Sequence, residues 1–157
     1  MSTSSQVPAT IGASQERTFD PAHPDFAPYW AGCVEERLLV PVCEDGHAFW
    51  PPRPTCSRCY RPTARWVETR GRGSLYSWTV VHRTRNREFA AAVPYVVGMI
   101  TLADLPGIRM VGHVEADRSL LVEGLELDVV FSETRHGVRL PRWRPRSAPW
   151  RGERAHA

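Results

Sequence analysis

The apolar positions of this chain change rhythm along its length, and each rhythm predicts a different element. Over residues 25–37, DFAPYWAGCVEER, Phe26, Trp30, Cys33 and Val34 recur at helical spacing. Pro28 falls in the first turn, where a missing amide costs no hydrogen bond, so the pattern predicts one short helix. A helix of that length is marginal alone and needs a surface to dock against. Residues 38–42 read as an apolar strand entering a turn, and residues 48–50 as the strand returning from it.

From residue 65 the rhythm is that of strands. Residues 65–69 and 73–83 alternate or carry β-branched side chains, and Gly71 and Gly73 predict a bend or bulge. Residues 95–102 form a continuous apolar run after Pro94, short enough for a buried strand. Residues 108–114, 127–132 and 138–140 supply three more, and residues 117–121 suit either a helical turn or a loop. Short strands with short breaks, over about 75 residues, predict a small Greek-key barrel, with the OB fold as the economical candidate.

The two ends carry no such rhythm. Residues 1–20 are polar and aperiodic and predict a disordered leader, while the arginine- and proline-rich residues 144–157 predict a disordered basic tail. Between them the expected order is a docking helix within 21–37, a ribbon-like hairpin over 38–63 and the barrel over 64–143. The fold class is mainly β, and there are no internal repeats.

Candidate chemistry concentrates in the hairpin. It reads Cys43-Glu-Asp-Gly-His47, then Pro51-Pro52-Arg53-Pro54, then Cys56-Ser-Arg-Cys59. Two tight turns bearing thiols, brought together by a hairpin, are what a structural zinc site requires. The second turn is complete, but position 46 of the first holds Gly46 where a second cysteine would stand. A rubredoxin-type iron site needs four thiolates, and only three are placed, so electron transfer is not expected. Cys33 lies outside the pattern and reads as a packed thiol.

Composition sharpens this picture at three points. All 20 basic residues are arginine, which excludes Schiff-base chemistry by lysine. No stretch approaches the roughly 20 apolar residues of a membrane span. The N-terminus lacks the basic start and apolar core of a secretory signal, so a cytoplasmic location is expected, where cysteines bind metal or stay reduced. No nucleophile elbow, phosphate-binding glycine loop or His-Glu-x-x-His is present, and no catalytic set is expected. His82 and His113 read as strand-end residues, with Glu88 or Glu115 the carboxylates able to approach them.

The chain resembles the zinc-ribbon/OB-fold accessory proteins that partner acyl-CoA thiolases, thiolase-like aldolases and hydratases. The likeness runs from about residue 29 to 145. It rests on Tyr29-Trp30-Ala-Gly, Leu38-Leu39 leading to Cys43, Pro51-Pro52-Arg53 before Cys56-x-x-Cys59, and Gly71-Arg-Gly73-Ser-Leu-Tyr76-Ser-Trp-Thr79-Val-Val-His82. Pro94-Tyr95-Val-Val, Val129-Val-Phe131 and Leu140-Pro141-Arg-Trp143-Arg-Pro145 complete it. Each piece alone is weak, but their order and spacing together are specific.

The resemblance implies a rubredoxin-like zinc ribbon and then an OB barrel, and a noncatalytic subunit in an acyl-CoA hetero-oligomer of lipid metabolism. The family pattern has Cys-x-x-Cys-Gly in the first turn, and this chain departs from it by one missing residue. Two readings are open: His47 completes a site with Cys43, Cys56 and Cys59, or the ribbon has lost its metal and is held by Phe49, Trp50 and the prolines. Asp45 is the poorer fourth ligand, because three thiolates favour a softer donor. A coenzyme A thioester shared with the partner is the implied ligand. Arg83, Arg85 and Arg87 alternate and are candidates for its phosphates or for an acidic partner, unless they form a solvated loop. Arg53, fixed after two prolines, is expected to meet a partner or Glu44. Trp30 and Trp50 are the expected docking anchors.

The rival reading is a single-stranded nucleic-acid module, with Tyr76, Trp78 and Phe89 as a stacking platform. A net charge of +3, with 17 acidic residues and no basic run among aromatics before residue 142, argues against it.

Overall fold

The structure is a computed structural model that describes residues 23–85, 90–133 and 138–146. The predicted leader, Arg87, Glu88, Phe89 and all but the first residues of the predicted tail lie outside the described residues. Among the described residues no helix is long and apolar enough to cross a membrane.

The helix α1 spans Ala27–Val34 with Pro28 in its first turn. Phe26 at its N-cap offers no side-chain bond, so packing rather than capping must hold eight residues in place. The buried face is Tyr29, Gly32 and Cys33, whereas Val34 is 66% exposed. The helical spacing was legible, but Tyr29 and not Val34 points inward. Gly32 is where the helix touches the start of the ribbon: a Cβ there would lie 2.8 Å from the Arg37 carbonyl oxygen and from Leu39.

β1 (Leu39–Cys43) is buried along nearly its whole length, and its partner is β2 (Thr63–Glu68), antiparallel from Leu39↔Glu68 to Cys43↔Thr63. Residues 48–50, expected to return as a strand, make only the bridge Val42↔Ala48 and a bond from the Phe49 amide to Pro41. The strand predicted at 65–69 therefore belongs to the ribbon sheet and not to the barrel. Periodicity cannot reveal this, because alternation describes one strand and not its partner.

Gly71, at φ +64°, turns the chain from ribbon to barrel, and a Cβ there would sit 2.3 Å from Val129. The barrel comprises β3 (Arg72–Val81), β4 (Tyr95–Leu102), β5 (Arg109–Val114), β6 (Glu126–Glu133) and β7 (Arg139–Pro145). It closes in the order β3-β4-β5-β7-β6, with β5 and β7 parallel and all other pairs antiparallel. This is the expected OB-type Greek key. The ambiguous segment at 117–121 contains a 3₁₀ turn, Arg118–Leu120, capped by the Asp117 carboxylate. The bend expected near Gly71 and Gly73 is the turn at Gly71, and a bulge lies further along β3, between Leu75 and Ser77. β7 runs to Pro145, two residues into the predicted tail, and Trp143 is among the most buried side chains.

One core joins helix, ribbon base and barrel. Tyr29, Cys33, Leu38 and Val40 pack with Leu75, Ile100, Met110, Leu127 and Trp143. A second, small cluster of Cys43, Phe49 and Cys56, with Cys59 against it, lies at the ribbon tip. Cys33 is the packed thiol expected; burial raises it to about 11, against a hydrogen bond from Tyr29.

Candidate metal centre

Each cysteine turn is built by backbone bonds that also aim amides at sulfur. In the first, the Cys43 amide donates to His47 O (3.1 Å) and the Gly46 amide to Cys43 O (2.9 Å), with Gly46 at φ +79°. The His47 amide then points at Cys43 Sγ, 3.3 Å away. In the second, the Cys56 amide donates to Arg61 O and the Tyr60 amide to Cys56 O, leaving the Arg58 amide 3.4 Å from Cys56 Sγ. Amides directed at sulfur stabilise thiolates.

These turns bring one ligand atom each from Cys43, His47, Cys56 and Cys59 within 4.8 Å of one another. Cys43 Sγ and Cys59 Sγ are 3.5 Å apart, and His47 Nδ1 is 3.4 Å from Cys59 Sγ. A tetrahedral zinc at ordinary bond lengths separates two thiolates by about 3.8 Å and a thiolate from an imidazole nitrogen by about 3.6 Å. The donor set therefore fits zinc in identity, number and spacing. Asp45 is exposed and outside the four-residue group, although its carboxylate meets the Cys59 thiol and helps to raise it.

Cys56 and Cys59 are pushed in opposite directions. Cys56 is opposed by burial, yet the Arg58 and Cys59 amides hold it below the ordinary thiol range. Cys59 is favoured as thiolate by the Arg61 amide, but burial and the Cys43 and Cys56 sulfurs outweigh this and push it up to about 12. A dication in the centre reverses those repulsions.

The other predicted residues are not gathered here. Arg53 is half-buried and its Nε reaches Pro51 O at 3.4 Å, while Glu44 is approached by Arg61 at 4.0 Å and not by Arg53. Arg83 and Arg85 are exposed beyond the end of β3, so strand periodicity does not set them on one face. Trp30 and Trp50 are half-buried against Tyr29, at ring separations of 4.7 and 5.0 Å, and pack on the main core. They bind the helix and ribbon to the barrel before they can anchor anything else.

Among the described residues, His82 and His113 are not paired with a free carboxylate. His82 is exposed. His113 sits edge-on to Tyr95, and burial followed by the Arg142 charge holds it below the usual imidazole range. Glu115 does approach, but Arg142 Nη1 donates to it at 2.9 Å and Arg144 Nε donates to its other oxygen. Burial opposes its charge, and the two guanidinium groups still hold its carboxyl below the usual range. This arginine–glutamate–arginine clasp, which ties β5 to β7, was missed in the sequence; the i, i+2 spacing of Arg142 and Arg144 in a strand was its one signal. Of the aromatic platform, Tyr76 and Trp78 are exposed, yet the Arg109 guanidinium covers the Tyr76 ring at 3.7 Å.

Known proteins resemble this arrangement part by part. Residues 30–63 match the rubredoxin-like zinc ribbon domain of ChsH2, and residues 66–132 match the ChsH2 C-terminal OB-fold domain. A DUF35 domain-containing scaffold protein of Pyrococcus furiosus is 28% identical over 68% of this chain and 78% of its own length. The 3-oxo-4,17-pregnadiene-20-carboxyl-CoA hydratase alpha subunit of Mycobacterium tuberculosis is 26% identical over 68% of this chain, which spans only 33% of that subunit. Among solved structures, a chain of the Ltp2-ChsH2(DUF35) aldolase superposes with a TM-score of 0.70 and 27% identity, over 80% of this chain and 98% of that one. A DUF35 protein of unknown function from Sulfolobus solfataricus shares the fold, with a TM-score of 0.59, 16% identity and coverage of 81% and 89%. With its ribbon and its barrel each matching the corresponding ChsH2 domain, this chain belongs to the DUF35 family of zinc-ribbon and OB-fold proteins.

Proposed function

We propose that this chain is a noncatalytic accessory subunit of an enzyme acting on acyl-CoA thioesters, with a thiolase-like or aldolase subunit as its partner. The observation that carries the reading is the match over nearly the whole of one chain of the Ltp2-ChsH2(DUF35) aldolase. The hydratase whose alpha subunit is similar to this chain takes, by its name, a carboxyl-CoA substrate. Within the molecule, the reading is supported by Glu115, which is bound to both Arg142 and Arg144 and so is not free to serve as a partner carboxylate for His113. Coenzyme A would be shared with the partner, and Arg83 and Arg85 are exposed cations able to meet either its phosphates or an acidic surface of the partner.

In this role Cys43, His47, Cys56 and Cys59 hold one zinc, with four protein ligands and no open position. Such a metal ties the two turns together and does not activate water. The barrel then presents a rigid surface to the partner.

Copurification of the tagged chain from its native host tests the reading. A stoichiometric acyl-CoA enzyme is expected, whose activity falls when the chain is withheld. Turnover of acyl-CoA esters by the isolated chain would overturn it. So would salt-sensitive single-stranded DNA binding in the absence of any enzyme partner.

A further inference from the structure

β3 is paired on both sides only at its beginning. Arg72, Gly73 and Ser74 pair with β6, and Leu75 exchanges bonds with Gly124 and Leu125 at 2.8 and 2.9 Å. Beyond the bulge at Tyr76, residues 77–81 pair with β4 alone, and no other backbone bond reaches them among the described residues. The burial pattern changes at the same point. Alternation gives way to four consecutive exposed residues, Tyr76, Ser77, Trp78 and Thr79, so both faces of this half-strand are open. Tyr76 is 44% and Trp78 39% exposed.

The chemistry of this edge is unusual for one left to water. Tyr76-Ser-Trp-Thr-Val-Val81 holds no charge, proline or glycine and is rich in aromatic and β-branched residues. Proteins ordinarily protect exposed edges with charges, proline or a covering segment, because unpaired amides and carbonyls recruit another strand. Charge meets this edge at its start, where the Arg109 guanidinium covers the Tyr76 ring, and past the strand at Arg83 and Arg85, which are exposed and make no ion pair among the described residues.

The geometry points to strand addition at this edge: an extended, charge-poor segment of the enzyme subunit pairs with residues 76–81, with carboxylates at the end beside Arg83 and Arg85. This rests on the accessory-subunit reading and names its docking surface. Main-chain bonds would supply affinity, and the arginines the orientation. A second copy fits less well. Antiparallel self-pairing along residues 76–81 carries Arg85 of each copy toward Arg72 of the other, which is already paired with β6, so like charge approaches like charge where the open edge ends.

The test uses the full chain and the enzyme that copurifies with it. Two variants are compared with wild type: Thr79→Lys, which puts a charge on the edge, and Arg83→Glu/Arg85→Glu, which lies outside the barrel core. Each is expected to weaken the complex by about tenfold or more. In hydrogen exchange, edge-facing amides among residues 76–81 exchange quickly in the free chain and become protected in the complex. An enzyme that binds wild type and both variants equally, or a complex in which those amides exchange as in the free chain, overturns the edge proposal and leaves the accessory role standing. A wild-type chain that brings down no enzyme overturns both. A concentration-dependent dimer of the isolated chain that Thr79→Lys abolishes assigns the edge to a second copy and overturns the proposed partner.

Discussion

The ribbon tip and the barrel solve the same problem by different means. In the barrel, Leu75, Ile100, Leu127 and Trp143 are all but inaccessible and belong to one continuous apolar cluster, so burial alone holds the strands. At the tip, Phe49 is the one large apolar side chain in a cluster otherwise made of cysteines. A loop-rich segment with so little to bury needs a cross-link, and the convergent Cys43, His47, Cys56 and Cys59 provide the ligands for one. The comparison teaches that loss of metal and loss of core should damage different parts of the molecule.

The largest effect should therefore come from Cys56→Ala, or from a strong chelator. Purified wild type is expected to hold about one zinc per chain, and Cys56→Ala about none, by elemental analysis. Hydrogen exchange should then show residues 43–62 opening while β4 and β6 stay protected. A barrel that unfolds with the tip would break the contrast. His47→Ala should weaken zinc retention less than Cys56→Ala; unchanged retention would remove His47 from the ligand set.

On the barrel side, Trp143→Ala should cost about 3–5 kcal/mol, since it empties the largest inaccessible side chain. Thermal or denaturant unfolding would read this as a global loss, with zinc still bound in the fraction that remains folded. A change smaller than about 1 kcal/mol would mean that the barrel is not held by this core.

Trp30→Ala probes the seam between the two regions. The side chain is only half-buried, so a loss of about 2 kcal/mol in folding stability is expected, separate from any effect on a partner. If stability is unchanged while partner binding falls, Trp30 is a docking anchor after all.

The smallest effect concerns pH. The folded state holds Glu115 below the ordinary glutamate range, so the unfolded chain takes up its proton first as pH falls. The clasp's stabilisation is complete above that range and is lost as pH drops through the folded value. His113, also held low, makes the unfolded state the better proton acceptor from about pH 6.5 downward. Glu115→Gln should flatten the acid limb of a stability–pH curve below about pH 5 and, by removing the charge that supports the His113 imidazolium, deepen the decline that begins at about pH 6.5. An unaltered acid limb would show that the two arginine contacts contribute nothing.

How much of this was legible in the chain depends on the range over which each feature is encoded. The run at 95–102 gave β4 to the residue, because an apolar stretch bounded by Pro94 and Asp104 is a local signal. Cys56-x-x-Cys59 and the Pro28 start of α1 were local too, and the closeness of Cys43 to His47 follows from one tight turn. Composition and spacing determined a mainly β chain with a thiol-bearing hairpin and an incomplete family pattern. Only tertiary structure decided that β2 joins β1, that Trp30 and Trp50 turn onto Tyr29, that β7 runs on to Pro145, and that Glu115 is clasped between Arg142 and Arg144. The same holds for the open edge of β3, whose alternation reads identically whether one neighbour is present or two. The physical reason is common to all of these. Periodicity records which face a residue turns inward, whereas the partner on that face comes from a distant part of the chain, selected by closure of the barrel and by the volume left inside it.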